Sequence, residues 1–507
     1  MHIAINSRHG HNYATVMQSV REGDRVVKKK HIYLGKVLDR QLGIFSSKER
    51  GIFQYDLATD TFSDAPASFT KIDRRADYQE QLIVDFGDAF LFNHLISIFG
   101  MEDAITALKY GNIDSVKSLL LYYMLQPTSN VHAHTWYEGS FARILYPNAN
   151  LDSRRISDLL RAIGQESSLR AFFGKYIEIL GAEARDGANI LIDSTGLPNS
   201  IRTHITAISN HNGQISEEIR LIYVVQQNTR LPIYMRYVPG NVIDSTTLIT
   251  TVKELKAIGV NTKFAILDAG YVTDDGLLEM YKNGVSFLTR CPENRRLYKD
   301  VVSQYAHELE EPDNLVLDDD RQLYNRRQLY VKRVEIEYLG MKLYAYIGKD
   351  KSMEEIERKH QIVKLTDRNK PIDKSEFAMK MKGLGIFVLI SYRRIAASKV
   401  MSQYYVRQDV EQVFDISKNY ASLLPLNVET EDTYKGHLIL TFAATAILQL
   451  LQNKTKSTKH SIDSVRVQMR NQKAKVFENV VIPCEPNKTQ NDIYKLFSIK
   501  PSYEFAR

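Results

Sequence analysis

The period of the hydrophobic positions changes several times along this chain, and each change predicts a different kind of element. Residues 1 to about 70 read as short strands: Arg25-Val26-Val27 and His31-Ile32-Tyr33-Leu34 flank Lys28-Lys29-Lys30, with turn signals at Gly23-Asp24 and Gly35. From about 78 to 183 the spacing turns helical. Apolar residues from Val116 to Met124 recur at helix spacing, Ser153 caps a face of Ile156, Leu159, Leu160 and Ile163, and a further helix is predicted from Ser168 to Leu180. Arg154, Arg155 and Arg161 on these helices suit contact with DNA or simply an exposed basic face.

At Asn189 strands return. Ile190-Leu191-Ile192 ends in Asp193-Ser194-Thr195-Gly196, and two more strands follow, Leu221 to Val225 and Leu231 to Tyr237. A turn at Pro239-Gly240-Asn241 leads to a helix from about Ser245 to Ile258, with Asp244 placed to cap it. Phe264 to Leu267 forms a fourth strand ending in Asp268-Ala269-Gly270-Tyr271, then a helix near Asp274 to Asn283, then the strand Val285 to Thr289. Three strands followed by alternating helices and strands predict an α/β domain, a mixed sheet covered by helices.

Residues 293 to 383 break that rhythm. They are strongly charged, with Asp318-Asp319-Asp320 as a solvated turn, β-like runs at Tyr330 to Tyr338 and Met341 to Ile347, and a helix from Met353 to about Lys364. This predicts a β-rich insertion, because a core strand resumes at Ile386 to Ile390. After Pro425 comes Gly436-His437 and an apolar run from Leu438 to Leu451, interrupted by Thr441, Thr445 and Gln449. That run is too short to span a bilayer and reads as a buried helix. The domains expected are a β-rich segment over 1–75, a helical DNA-end-binding region over 76–185, a sheet domain over 186–292 and 384–425, the insertion over 293–383, and a helical region with a basic tail over 426–507.

Composition narrows the class. A length of 507 residues exceeds one hydrophobic core, and 44% hydrophobic with 25% charged content is that of a globular protein. The N-terminus Met1-His2-Ile3-Ala4-Ile5-Asn6 has no signal-peptide pattern. Two cysteines, Cys291 and Cys484, argue against a disulfide framework or a cysteine-based zinc site and suit a reducing cytoplasm. His132 and His134, with His9 and His11, could suggest a metal site, but the first pair alternates on a loop-like segment and the second sits in the N-terminal arm. A net charge of +7 tilts toward a polyanionic partner, and Lys454 to Lys475 concentrates seven cations against Asp463 alone, a solvated face or a nucleic-acid contact.

The chemistry is written most plainly in Tyr404-Tyr405-Val406-Arg407-Gln408-Asp409-Val410-Glu411, continued to Lys418. Tyr404, Arg407, Glu411 and Lys418 stand at spacings of three, four and seven, which on one helix places them within roughly 60° of each other, with Val406, Val410 and Val413 opposite. Arginine and lysine suit phosphate oxygens and the carboxylate suits a metal ion. Asp193 and Asp268 each end a predicted core strand, and an acid on a helix packed across that sheet edge completes a cluster of three. Singly, a strand-end aspartate is usually a turn or cap residue. Together, three oxygen donors without histidine or cysteine favour Mg²⁺ or Mn²⁺, and two such ions serve in-line phosphoryl transfer.

This sequence resembles the DDE transposases of bacterial insertion sequences, the insertion-sequence-four group, whose Tyr-Arg-Glu-Lys signature Tyr404, Arg407, Glu411 and Lys418 match at every spacing. Asp193-Ser194-Thr195 and Asp268-Ala269-Gly270-Tyr271 are similar to its two Asp elements, and Pro239-Gly240-Asn241 through Asp244 and Gly436-His437 to further landmarks. The resemblance covers about 150 to 450. It implies a ribonuclease H-like sheet interrupted by a β-rich insertion, an N-terminal region that recognises inverted repeats in double-stranded DNA, and a homodimer in the synaptic complex. Asp193, Asp268 and Glu411 would bind the metals, while Tyr404, Arg407 and Lys418 would hold DNA phosphates. By the same resemblance, cleavage at the transposon end would leave a 3′-hydroxyl that then attacks target DNA, and related enzymes pass through a hairpin with a base flipped onto the insertion domain. Trp136 lies outside the insertion, so Tyr330 or Tyr338 would have to stack that base. Two other readings share these residues: a ribonuclease H-like nuclease that only hydrolyses DNA, and a DNA-binding derivative without catalysis.

Overall fold

The computed structural model describes the chain except residues 9–10, 24, 41, 48, 67–81, 200, 202, 212–213, 243, 317–327, 367–376, 378–380, 427, 429, 478–479, 501–504 and 507. Asp318-Asp319-Asp320 and His9 lie outside the described residues, as do the side chains of His11 and Asp244. Two compact units form: Met1–Ile83 with Lys475–Ile482 and Glu504–Arg507, and Val84–Ala474 with Pro483–Tyr503.

In the first unit the alternating N-terminal pattern folds as an antiparallel meander of β1 (His2–Arg8), β2 (His11–Glu22), β3 (Arg25–Asp39), β4 (Ile44–Ser47), β5 (Gly51–Asp56) and β6 (Thr61–Asp64). Ala14, Val16, Leu34, Phe45, Phe53 and Tyr55 close its core. The runs flanking the three lysines are not separate strands. β3 is continuous over 15 residues because β2 pairs it through that stretch, from Glu22 opposite Arg25 to Met17 opposite Lys30.

The second unit begins with helices α1 (Gly87–Phe99), α2 (Ile113–Leu125), α3 (Ser153–Ile163) and α4 (Glu166–Leu180). Asp152, not Ser153, occupies the cap position of α3, in extended backbone; Ser153 is its first helical residue. A mixed sheet follows, of β7 (Asp186–Pro198), β8 (Ala207–His211), β9 (Gln214–Gln226), β10 (Pro232–Pro239), β11 (Asn261–Leu267), β12 (Ser286–Arg290), β13 (Leu329–Tyr338), β14 (Met341–Asp350) and β15 (Ile386–Ser391). Helices α5 (Asp244–Ala257), α6 (Asp274–Lys282), α7 (Arg296–Tyr305), α8 (Lys351–Thr366), α9 (Ala397–Tyr405), α10 (Gln408–Tyr420), α11 (Glu431–Thr455) and α12 (Ile462–Arg470) accompany and follow it. The strand order is β10-β9-β7-β11-β12-β15-β14-β13, with β8 paired to β9. β7, β11 and β12 run parallel, while β9 pairs antiparallel with β7 and with β10. The strands of the 293–383 stretch continue this same sheet, since β14 pairs antiparallel with β15 from Tyr344–Ser391 to Lys349–Ile386.

The apolar run near 440 forms a helix longer than the run itself. At 25 residues α11 is long and apolar enough to cross a membrane, yet 89% of its most apolar window is buried inside the protein. Thr430 and Thr433 close its start as a reciprocal capping pair. Gly436 explains how it packs: a Cβ there would stand 2.0 Å from the Leu160 carbonyl oxygen of α3, so the two backbones touch only because the side chain is missing.

Candidate active site

Register brings the first two acids together. β11 pairs with β7 as far as Leu267 opposite Ile192, so Asp193 and Asp268 are the next residues on adjacent parallel strands. Asp193 does not end its strand, as its sequence suggests. β7 continues to Pro198 because β9 still pairs it, Asp193 opposite Tyr223 and Pro198 opposite Glu218. The acid sits where one neighbour stops and the other goes on, which exposes one edge of β7. Asp268 leaves β11 in extended backbone and enters a short 3₁₀ turn, Ala269–Tyr271.

Glu411 arrives on α10. The expected single helix from Tyr404 to Lys418 is two helices, α9 and α10, meeting at Val406-Arg407. Both residues keep right-handed helical backbone, but the junction closes with tight bonds, Arg407 N to Tyr404 O, Asp409 N to Val406 O and Val410 N to Arg407 O. Tyr404 thereby turns inward and is 8% exposed; of the three valines expected on the core face, Val410 and Val413 are buried and Val406, at the junction, is only partly so. α10 is held against the sheet by Phe414 stacked on Tyr223 at 5.0 Å, a pairing worth about 0.5–1.5 kcal/mol beyond its buried area. A buried hydroxyl chain adds to this: Tyr223 to Ser417 at 2.7 Å and Ser417 to Thr445 of α11 at 2.6 Å. Arg230, in the β9–β10 turn, pairs with Asp409 at 2.8 Å and pins the first turn of α10. Arg466 of α12 donates to the Tyr420 carbonyl at its last turn.

All three acids surround one guanidinium. Arg407 Nη1 lies 3.0 Å from Asp193 Oδ2, its Nε 3.8 Å from Asp268 Oδ1, and its Nη2 3.7 Å from Glu411 Oε1. Burial works against the Arg407 charge, but Asp268, Tyr404, Asp193 and Glu411 outweigh it and raise its pKa. Burial first, then the Asp268 charge, pushes the Tyr404 phenol up to about 12, so it stays protonated and donates toward Asp268 Oδ1 at 3.5 Å. Lys418 donates to Thr195 Oγ1 at 2.6 Å, and burial lowers its pKa. Thus the six residues singled out in the sequence meet at one sheet edge. With Arg407 among them the carboxylates stand apart, and no group of three His, Cys, Asp or Glu side chains among the described residues is close enough as placed to hold an ion.

A cavity of about 800 Å³ opens beside this cluster, its lining including Asp268, Arg290, Tyr404, Tyr405 and Arg407 together with Met353, Phe387, Leu389 and Met401. Neither Tyr330 nor Tyr338 lines it. Tyr330 is buried and accepts from Gln328, and Tyr338 donates to Asp274 at 2.8 Å. Arg290, Thr195, Arg230 and Asp409 are site residues that sequence reasoning missed. Arg290 had a readable signal: it is the last residue of an apolar strand next to β11, as Asp268 directly follows β11.

The chain belongs to the family described as "Transposase DDE domain", whose match spans residues 186–447, just over half of the sequence. That span contains the three acids together with Tyr404, Arg407 and Lys418, and the family places the protein in DNA transposition. Among solved structures it is similar to the piggyBac transposase of a cryo-EM synaptic complex with hairpin DNA, 13% identical over 76% of this chain and 79% of that one, with a TM-score of 0.38. No curated protein matches it.

Proposed function

We propose that this protein is a metal-dependent transposase of the insertion-sequence-four group, cutting DNA at inverted-repeat ends and joining those ends to target DNA. The observation that carries this reading is the convergence of Asp193, Asp268 and Glu411 on Arg407. A strand order of β10-β9-β7-β11-β12, antiparallel then parallel, favours a ribonuclease H-like sheet. Asp193, Asp268 and Glu411 are the residues for one or two Mg²⁺ or Mn²⁺ ions. Their donor set fits: formally, three carboxylates against one guanidinium leave two negative charges, and all donors are hard oxygens. Bound there, divalent ions supply activation of the attacking oxygen and stabilisation of the leaving one.

The protein groups have separate duties. Lys418, held at Thr195, and Arg407 offer cationic donors for phosphate oxygens, and the Tyr404 hydroxyl fixes the Asp268 carboxylate. The neighbouring cavity is large enough for a nucleobase, with Tyr405 and Phe387 as rings and Arg290 as a cation in its wall. Double-stranded DNA ends would be read by the regions 1–75 and 76–185, in a homodimer, in the bacterial cytoplasm.

A supercoiled plasmid carrying the DNA that flanks the coding region tests this. Mg²⁺ and the wild-type protein should yield joined products, and Asp193→Ala, Asp268→Ala and Glu411→Ala should each abolish cutting while retaining DNA binding. Free ends without joining would make the protein a nuclease, and normal cutting by any one variant would remove that residue from the site.

A further inference from the structure

We infer that the outer half of the β2–β3 hairpin is a DNA-binding ribbon that enters the groove of a duplex; this rests on the transposase reading above. β1 pairs with β2 only at His11 to Met17, and β4 pairs with β3 only from Lys36 onward. Beyond those limits Gln18–Glu22 and Arg25–Lys29 pair only with each other among the described residues. Five residues per strand give a free two-stranded ribbon about 17 Å long. A ribbon of this kind fits the major groove, which is about 12 Å wide.

Its chemistry matches that partner. From Gln18 to Lys30 the sequence carries five cations, Arg21, Arg25, Lys28, Lys29 and Lys30, against two acids, Glu22 and Asp24. Arg21, Arg25 and Lys28 have no ion-pair partner among the described residues, and Arg25 and Lys28 are exposed beside Val26, 68% exposed, and Val27, 37% exposed. Register puts Arg21 opposite Val26 and Ser19 opposite Lys28 on one face, with Val20 opposite Val27 on the other. Each face therefore mixes cations or polar groups with small apolar side chains, the set that meets phosphates, base edges and thymine methyls. The competing explanation is that the lysines only prevent pairing between strand edges of different molecules. That role makes no difference to DNA affinity.

The test is fluorescence anisotropy of the full-length protein on a 40-base-pair duplex of arbitrary sequence, across a range of KCl. The R21A/R25A/K28A variant should bind at least ten-fold more weakly near 0.1 M salt. The slope of log K against log salt should fall by about two to three, since each lost phosphate contact removes about 0.9. An R21K/R25K/K28R variant should keep the wild-type slope. Duplex whose cytosines carry glucosylated hydroxymethyl groups, which fill the major groove, should abolish the difference between wild type and R21A/R25A/K28A. An unchanged slope in R21A/R25A/K28A, at an unchanged melting temperature, overturns the ribbon. If that variant still cuts plasmid with Mg²⁺, the ribbon alone has failed; if the wild type neither binds nor cuts, the transposase reading has failed with it.

Discussion

Arg407 is the counter-ion of the site, and its removal separates two functions. Three carboxylates gathered around a guanidinium that is 20% exposed lose their compensation if it is neutralised, and an unpaired, partly buried charge is costly. Arg407→Gln should therefore lower stability in the absence of divalent metal, tighten Mn²⁺ binding at least three-fold in a calorimetric titration, and still lose strand transfer. Weaker Mn²⁺ binding would mean that the arginine helps to hold the ion instead of competing for its place. His437 makes a second prediction. It is buried; with its Nε2 hydrogen directed at the Leu423 carbonyl, 3.5 Å away, its Nδ1 accepts from the Tyr123 hydroxyl at 2.8 Å, and burial lowers its pKa to about 4. The unfolded chain binds this proton near pH 6.5 and the native chain only near 4, so the associated stability is intact above 6.5 and drains away as pH falls to 4, by roughly 3 kcal/mol. Urea titrations at pH 7 and pH 4.5 should show a smaller difference for His437→Gln than for the wild type.

Elements decide how those residues are aimed. Helix α10 is tied at its first turn by Arg230 to Asp409 and at its last by Arg466 to the Tyr420 carbonyl, so its rotation, and with it the direction of Glu411 and Lys418, is fixed from outside. Arg230→Ala leaves Asp409, only 9% exposed, without its partner; kcat should drop with little change in DNA affinity, and loss of affinity alone would contradict this anchoring role. At the α3–α11 crossing, Gly436→Ala forces a methyl into the Leu160 carbonyl and should cost about 1–3 kcal/mol in a denaturant titration. These contacts also explain what was legible in the sequence. The spacing of Tyr404, Arg407, Glu411 and Lys418 survives in space, but nothing local announces the tight junction at Val406-Arg407, where no proline or glycine stands. Likewise Ser194-Thr195-Gly196 reads as a turn after Asp193, and remains strand only because β9, more than twenty residues later, pairs it. Local pattern located the acids; long-range pairing set their geometry.

For the molecule as a whole, one register controls the site. β11 stops one residue short of Asp268 and leaves Asp193 beside it, while the strands from the charged 293–383 stretch widen the same sheet on the side of the cavity. That widening could not be read from composition, because charge and β-propensity alone do not say which sheet edge a hairpin joins. In the proposed function, acids spread over more than 200 residues of sequence form one divalent-metal site. Loading the protein with Fe²⁺ and adding ascorbate and peroxide generates hydroxyl radicals at the bound ion, which cut the nearby backbone. Cuts should cluster around residues 193, 268 and 411 together, all suppressed by excess Mg²⁺. Cuts at only one of these segments, or cuts that Mg²⁺ leaves untouched, would contradict it.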